Sequence, residues 1–278
     1  NEFFHLDFLN HNLIKSTRKE GIMYENWGKK NEKIFHSFPQ SLLAIHYIPN
    51  LFSQAVLNSG VFEIVEKNIE DPEREIDSDF IFDCRGRNNR EKDLYDKLVN
   101  PLNSVILSRK EEISPDLVYT RTVATPNGWT FVIPNVDSTS YGYLYNNEIT
   151  TKEEATADFI EKFDIVPDGH LTFENYLAKS CFHGERTILN GNRLSFLEPL
   201  EATSTGFYEK VAIVALNHIV RGVDKEVCNA LIRFEMKQIE NFILWHYQYG
   251  SKFDTPFWEY AKSLSFNPKD HFNEVVEY

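Results

Sequence analysis

The chain has 278 residues, of which 42% are hydrophobic and 14% aromatic, and its formal net charge is −13 at pH 7. This length allows one large or two medium domains, and the acidic balance disfavours a nucleic-acid partner, which requires a basic surface. No apolar run is long enough for a membrane span, and three widely spaced cysteines predict neither a disulfide framework nor a cysteine-based metal site. A soluble cytoplasmic protein is therefore expected.

The first third of the chain predicts alternating helical and extended segments. Residues 51–57 carry a helical pattern that ends near Gly60, residues 61–65 read as a strand, and the charged residues 66–77 suit a β-hairpin. Residues 79–84, Asp-Phe-Ile-Phe-Asp-Cys, predict a buried strand that runs on toward a glycine. Such a strand end commonly presents backbone to a ligand, but any buried strand can end in this way, so both interpretations stay open.

The middle of the chain predicts a β-sheet followed by one amphipathic helix. Residues 117–124, 129–134 and 140–145 read as strands, and such a sheet could form one wall of a substrate cavity. Thr151 followed by Glu154 is a capping box that opens a helix. The apolar residues expected on the inner side of this helix are Ala155, Phe159, Ile160 and Phe163.

The last third predicts two long helices, one over residues 206–220 and one that Asp224 caps and that runs toward Gly250. No linker rich in proline, glycine or serine separates the parts of the chain. One compact unit over residues 1–278 is therefore expected.

Two stretches are unusual enough to suggest chemistry. In residues 128–134 the side chains of Trp129, Phe131 and Ile133 share one face of a strand, which suits a core strand or a pocket wall. Residues 190–206 form a proline-bearing turn before a helix, where free N–H groups and the helix dipole favour an anion. Two glutamates of this turn, at positions 198 and 201, could alternatively cap the helix.

Residues 129–134, Trp-Thr-Phe-Val-Ile-Pro, resemble the Trp-x-Trp-x-Ile-Pro signature of the flavin-dependent halogenases, the tryptophan halogenase family, with Phe131 in place of the second Trp. Residues 196–203, Phe-Leu-Glu-Pro-Leu-Glu-Ala-Thr, resemble the family's Phe-x-Glu-Pro-Leu-Glu-Ser-Thr turn, with Ala202 in place of Ser. These two replacements weaken any transfer of tryptophan specificity to this chain.

Further segments resemble the same family in the same order. Lys19 precedes Trp27 by eight residues, as the family's active-site lysine precedes its Asn-Trp pair, although a lysine taken alone is usually a solvated surface charge. Residues 241–247 and 254–258 resemble its Asp-Phe-x-x-x-His-Tyr and Pro-Phe-Trp segments, and residues 79–86 its Asp-Cys-x-Gly strand end.

The resemblance implies a mixed α/β (α+β) fold, a flavin-monooxygenase-like FAD-binding fold with a β-sheet substrate wall and a helical C-terminal part. The FAD-binding part would be discontinuous, about residues 40–90 and 185–222, and the substrate part about residues 100–180 and 223–278. The twelve glycines are never two residues apart, so the family's Gly-x-Gly-x-x-Gly turn would precede Asn1.

The implied activity is flavin-dependent halogenation of an aromatic substrate with FAD (as FADH2), oxygen and a halide ion. Halide would bind the backbone N–H groups of Thr203 and Ser204, and the hypohalous acid formed would reach Lys19, while Glu201 would stabilise the cationic intermediate or take up its proton. The residues implied to bind FAD are Asp83, Gly86, Pro199 and Leu200. The residues implied to line the substrate pocket are Trp129, Phe131, Ile133 and Pro134, and Tyr145 would help the rings sandwich a planar substrate.

The implied partners are a small aromatic substrate, free or carrier-tethered, and a separate flavin reductase, and homo-oligomers are common in the family. Two alternatives stay open. A flavin monooxygenase that hydroxylates its substrate shares the fold but needs no lysine, and a non-catalytic binding protein of the same fold would explain the missing glycine-rich turn. No metal is expected, because the spacing of the histidines suits no metal motif. The histidines considered are His36, His46, His183, His218 and His246.

Overall fold

The computed structural model describes residues 11–30, 33–40, 42, 44–87, 89–112 and 118–264. In chain order the described helices are α1 (His11–Ile14), α2 (Pro49–Leu57), α3 (Pro72–Glu75), α4 (Lys152–Phe163), α5 (Gly191–Leu194), α6 (Ser204–Arg221), α7 (Lys225–Tyr249) and α8 (Pro256–Ser263). The described strands are β1 (Thr17–Lys19), β2 (Gly21–Glu25), β3 (Lys33–Ser37), β4 (Ala44–His46), β5 (Ile81–Asp83), β6 (Tyr95–Lys97), β7 (Ser104–Lys110), β8 (Tyr119–Thr125), β9 (Gly128–Pro134), β10 (Thr139–Tyr145), β11 (Gly169–Thr172), β12 (Tyr176–Ala178), β13 (Phe182–His183), β14 (Thr187–Leu189) and β15 (Ser195–Phe196).

The chain divides into two compact units, which differ from the single unit expected over residues 1–278. The first comprises Asn1–Lys67, Leu102–Thr172 and Tyr249–Tyr260, and the second Asn68–Pro101, Phe173–Gln248 and Ala261–Tyr278. The boundaries also differ from the expected FAD-binding and substrate parts, because residues 223–248 belong with residues 173–222. The assignment of either part to FAD or substrate stays a prediction.

The first unit contains a seven-stranded sheet in the order β11-β7-β10-β9-β8-β2-β3. β2 and β8 run parallel, and the other neighbouring strands are antiparallel. The three strands predicted here correspond to β8, β9 and β10, with bounds shifted by a few residues, and Leu117 lies outside the described residues. A separate pair, β1 and β4, places Lys19 opposite Ala44.

Helix α4 packs on one face of this sheet and begins at the predicted capping box. The backbone N–H of Glu154 donates to Thr151 Oγ1 over 3.2 Å, and the backbone N–H of Thr151 donates to Glu154 Oε2 over 2.8 Å. The inward position expected for Ile160 is wrong, because it is 38% exposed at the edge of the apolar stripe. The buried core between helix and sheet contains Ile106, Tyr143, Tyr145, Ala155 and Phe159.

The strand predicted over residues 61–65 and the hairpin predicted over residues 66–77 are both wrong. The described chain from 58 to 80 contains the short helix α3 and no strand. A side chain replaces the hairpin ladder, since Glu75 Oε1 accepts the backbone N–H groups of Glu70 (2.9 Å) and Asp71 (2.8 Å). Pro72, which cannot donate to a ladder, takes the first helical position instead.

The second unit contains two three-stranded sheets, in the orders β13-β14-β5 and β15-β12-β6, together with α6 and most of α7. β5 pairs in parallel with β14 and is shorter than predicted, with Phe82 exposed on its outer face. Helix α6 begins at Ser204, two residues earlier than predicted. The predicted cap of α7 is confirmed, because Asp224 Oδ1 accepts the backbone N–H of Glu226 over 2.8 Å.

The described residues contain neither a membrane-spanning helix nor a cluster of metal-binding side chains. No described helix combines the length and the apolar character that crossing a bilayer requires. Within the same residues, no group of three or more histidine, cysteine, aspartate and glutamate side chains is placed to hold a metal ion.

Candidate functional site

The turn that leads into α6 has an unusual backbone. Glu201 (φ 69°) and Ala202 (φ 53°) both adopt the left-handed conformation, and the N–H of Ala202 donates to the carbonyl of Pro199 over 2.9 Å. This conformation costs a residue other than glycine about 1–2 kcal/mol. Strain of this kind persists only where the surrounding structure imposes it, and it concentrates at functional sites.

The N-terminus of α6 follows directly and leaves backbone donors accessible. The N-cap residue is Thr203, whose side chain forms no capping hydrogen bond within the described structure. A Cβ added at Gly206 would meet no described atom within 4 Å, so the first turn is open to an approaching group. Free N–H groups at the positive end of a helix dipole form an anion site.

The other residues of the turn can offer backbone rather than side chains. Leu200 is buried in the core of the second unit, and Pro199 is exposed at the surface. Thr203 and Ser204 are half-buried, with Ser204 at the first position of α6. The arrangement fits the implied use of this turn, in which a planar ring edge and an anion meet main-chain groups.

The two glutamates of the turn do not cap α6, so that alternative is wrong. Glu198 is 0% exposed, and its carboxylate accepts hydrogen bonds from Asn100 Nδ2 (2.8 Å) and the hydroxyl of Tyr247 (2.8 Å). Glu201 Oε1 lies 3.1 Å from Nε2 of His246. Consecutive residues of α7 therefore contact the two carboxylates, an arrangement that the sequence motifs alone did not reveal.

Lys19 is buried, so its interpretation as a solvated surface charge is wrong. It is the last residue of β1 and is 9% exposed, and its Nζ lies 5.4 Å from the centroid of the Phe38 ring. Lysine is rarely buried in proteins unless its charge is paired or used.

Three motif tryptophans of the first unit form one buried aromatic cluster. The ring of Trp27 lies 6.4 Å from that of Trp129 and 5.4 Å, edge to face, from that of Trp258. The indole N–H groups of Trp27 and Trp258 donate to the carbonyls of Thr122 (3.1 Å) and Thr125 (2.8 Å) on β8. The resembling segments are thus neighbours in space although they are far apart in sequence.

The register of β9 and β10 decides which rings share a face. Phe131 pairs with Gly142, and a Cβ added to that glycine would lie 2.1 Å from the Phe131 ring. Tyr145 pairs with Gly128 and therefore faces the opposite side of the sheet from Trp129. The expected sandwich of a planar substrate between Trp129, Phe131 and Tyr145 is therefore wrong.

The other residues of β9 take different environments. Trp129 is fully buried in the tryptophan cluster, whereas Phe131 and Ile133, on the same face, are half-buried. Pro134 is buried at the end of the strand, opposite Thr139. Their role in a substrate pocket stays a prediction.

The end of β5 is held by two arginines. Arg85 Nε and Nη2 donate to Asp83 Oδ1 (2.9 Å) and Oδ2 (2.8 Å), and Arg193 Nε lies 3.3 Å from Oδ2. Burial by itself raises the pKa of the Asp83 carboxyl, but the hydrogen bonds from Arg85 and the charges of both arginines outweigh burial and hold that pKa below its usual range.

These contacts leave Asp83 with little hydrogen-bonding capacity for a ligand at the end of β5. The Asp83 carbonyl also accepts the backbone N–H of Asn190 over 3.0 Å, so both its carboxylate and its carbonyl have partners in the protein. Gly86 is open, since a Cβ there would meet no described atom within 4 Å. Arg193 is a buried cation that the sequence motifs did not identify.

The candidate residues divide between the two units. Lys19 and Trp129–Pro134 belong to the first unit, whereas Asp83, Gly86 and residues 199–204 belong to the second.

Comparison with known proteins places these features in context. Residues 53–278 match the family model described as Tryptophan halogenase. The tryptophan 7-halogenase RebH of Lentzea aerocolonigenes is 27% identical over 214 residues, covering 69% of this chain and 39% of RebH. The tryptophan 6-halogenase ThaL of Streptomyces albogriseolus is 27% identical over 169 residues, covering 57% of this chain and 31% of ThaL. The matched region therefore spans about two fifths or less of these relatives.

Solved structures show the same fold. BrvH, a flavin-dependent halogenase from Brevundimonas sp. BAL3, superposes with a TM-score of 0.79 at 18% identity, covering 95% of this chain and 72% of BrvH. The tryptophan 5-halogenase MibH superposes with a TM-score of 0.78 at 16% identity, covering 98% of this chain and 67% of MibH.

Proposed function

Because this chain belongs to the tryptophan halogenase family, we propose that it takes part in flavin-dependent halogenation of an aromatic substrate. The predicted fold class, a mixed α/β fold of the flavin-dependent halogenase type, is confirmed. The proposed co-substrates are FADH2, oxygen and a halide, chloride or bromide. A separate flavin reductase is the proposed partner.

The observation that supports this proposal best is the strained turn before α6. Two successive left-handed residues, Glu201 and Ala202, deliver the chain to an uncapped helix start lined by small residues. We propose that the backbone of Pro199 and Leu200 contacts the edge of the flavin ring and that the N–H groups of Thr203 and Ser204 bind the halide. Reduced flavin, when bound, supplies the activated oxygen that oxidises the halide.

Lys19 is the proposed group that receives hypohalous acid. An ammonium donates hydrogen bonds and carries a fixed positive charge, so it can hold this acid by its oxygen and polarise it toward an electron-rich ring. Burial makes that polarisation stronger, since nearby water no longer screens the charge. A buried lysine favours halogenation over hydroxylation, which has no use for it.

Glu201 is the proposed acceptor for the proton that the substrate ring loses. A carboxylate stabilises the cationic ring that forms when halogen adds, and it can then take up the proton as the ring regains aromaticity. Its side chain is 15% exposed, so this negative charge is only partly screened by water.

The substrate wall is proposed to lie on the half-buried part of β9. Phe131 and Ile133 leave part of their surface open, whereas Trp129 is enclosed by the tryptophan cluster. Asp83 and Gly86 are retained as proposed contacts to FAD, with Gly86 the more accessible of the two.

The experiment that tests this proposal compares two lysine variants. The protein is incubated in air with FAD, a flavin reductase, NADH, bromide and a panel of small aromatic compounds that includes tryptophan and indole. Lys19→Ala should lose brominated product while flavin oxidation continues at the wild-type rate. Lys29→Ala, at an exposed lysine, is the matched control and should behave as wild type.

Three results would contradict the proposal. Brominated product at the wild-type level in Lys19→Ala would remove the proposed role of this lysine. Hydroxylated product in place of brominated product, from the wild-type protein, would favour the flavin monooxygenase alternative. Failure of FAD to raise the unfolding temperature would favour a binding protein of the same fold.

A further inference from the structure

His246 presents one ring nitrogen to its own helix and the other to the turn. Its Nδ1 lies 2.8 Å from the carbonyl oxygen of Phe242, one helical turn earlier on α7. A carbonyl oxygen only accepts hydrogen bonds, so Nδ1 carries a hydrogen. In a neutral ring the second nitrogen, Nε2, would then bear a lone pair.

The second ring nitrogen lies close to Glu201. Nε2 lies 3.1 Å from Glu201 Oε1, and the two side chains are 12% and 15% exposed. Oε1 has no aligned hydrogen-bond donor among the described residues, so Nε2 and Oε1 are in close contact without a linear hydrogen bond. At this distance the imidazole ring limits the positions that the Glu201 carboxylate can take.

One other carboxylate of the turn and one of α7 have partners of their own. Glu198, three residues earlier in the turn, accepts from Asn100 and Tyr247, both neutral donors. Glu240, on α7, is contacted by the ammonium of Lys237 over 2.6 Å.

We propose that His246 is the positioning residue for Glu201, with its imidazole ring holding that side chain in place at the strained turn. This inference rests on the proposed function, because it assigns Glu201 a fixed position from which it can accept the substrate's proton. Tyr247 donates to Glu198, so consecutive residues of α7 contact both glutamates of the turn.

The first test measures the contact of His246 with Glu201 directly. The imidazole resonances of His246 and His218 are recorded by NMR in the wild-type protein and in Glu201→Gln. The His246 resonances should shift in Glu201→Gln, because the carboxylate beside Nε2 is replaced, whereas those of His218 should stay in place. Identical His246 resonances in the two proteins would overturn the inference.

The second test measures turnover with His246→Gln and His246→Asn, both of which remove the imidazole ring. Halogenation kcat should fall about 10- to 100-fold, with substrate KM within about twofold and flavin oxidation unchanged. His218→Gln is the matched control, because His218 makes the same kind of bond, from Nδ1 to the carbonyl of Val223 (2.6 Å). Wild-type kcat in either His246 variant would contradict the proposal.

The two tests separate this inference from the proposed function. If the His246 resonances respond to Glu201→Gln but the wild-type protein forms no halogenated product, the proposed function fails and the contact of His246 with Glu201 stands. If halogenation requires Glu201 but the His246 ring does not respond, the proposed function stands and the role of His246 fails.

Discussion

Ala202→Gly tests whether the turn before α6 stores backbone strain. Ala202 has φ 53° and is exposed at the surface, so removal of its methyl group sacrifices little packing. The left-handed conformation costs alanine about 1–2 kcal/mol and glycine nothing comparable. Glycine also makes the unfolded chain more flexible, which costs about 0.5–1 kcal/mol. The free energy of unfolding should therefore rise by about 0.5–1 kcal/mol as the difference of these terms.

Ala157→Gly is the matched control, because Ala157 is also exposed but lies inside helix α4. In that right-handed backbone glycine relieves no strain, so the same substitution should lower the free energy of unfolding by about 1 kcal/mol. Urea unfolding followed by circular dichroism measures both variants under one set of conditions. The reasoning is refuted if Ala202→Gly destabilises the protein as Ala157→Gly does.

Three further substitutions test contacts elsewhere in the fold. Tyr247→Phe removes the hydroxyl that donates to the buried Glu198 carboxylate, so urea unfolding should show that the free energy of unfolding falls by about 1.5–3 kcal/mol. Tyr249→Phe, at an exposed tyrosine, should leave the free energy of unfolding almost unchanged. Equal losses in the two variants would contradict a stabilising role for the contact. The pKa of Asp83 is lower in the folded protein than its value of about 3.9 in an unfolded chain, so the ionised group stabilises the fold above that pH. This stabilisation is lost as the pH falls through the lower pKa of the folded protein. Asp83→Asn should therefore flatten the acid limb of a stability–pH curve, and an unchanged slope below pH ~4 would contradict the linkage. Thr151→Ala breaks the capping box of α4 and should cost about 1 kcal/mol in thermal unfolding, whereas an unchanged midpoint would show that the cap contributes nothing.

Local patterns predicted the parts of the fold that local chemistry determines. The strands β9 and β10 followed from alternation, and the start of α4 followed from Thr151 and Glu154, because a capping box involves only residues three apart. The hairpin expected in residues 66–77 failed because Glu75 satisfies the backbone N–H groups that a ladder would have used. The residue pattern does not show whether these backbone N–H groups donate to the side chain of Glu75 or to a neighbouring strand.

The candidate site depended more on contacts between distant residues. The turn containing Glu201 was identified from its motif, but the motif did not show its left-handed backbone or its contact with His246, 45 residues later. Nor did the motif show that Lys19 is buried at the end of β1, opposite Ala44 of β4. The opposite faces of Trp129 and Tyr145 follow from strand register, which alternation within each strand does not specify.

The most direct test of the proposed halogenation is product analysis with the unmodified protein. The protein is supplied with FAD, a flavin reductase, NADH, oxygen, bromide and indole, and the products are examined by mass spectrometry. The account predicts bromoindole, recognised by the two nearly equal isotope peaks of bromine, that is absent when either bromide or FAD is omitted. Hydroxylated indole alone, or unchanged indole while the flavin is reoxidised, would contradict it.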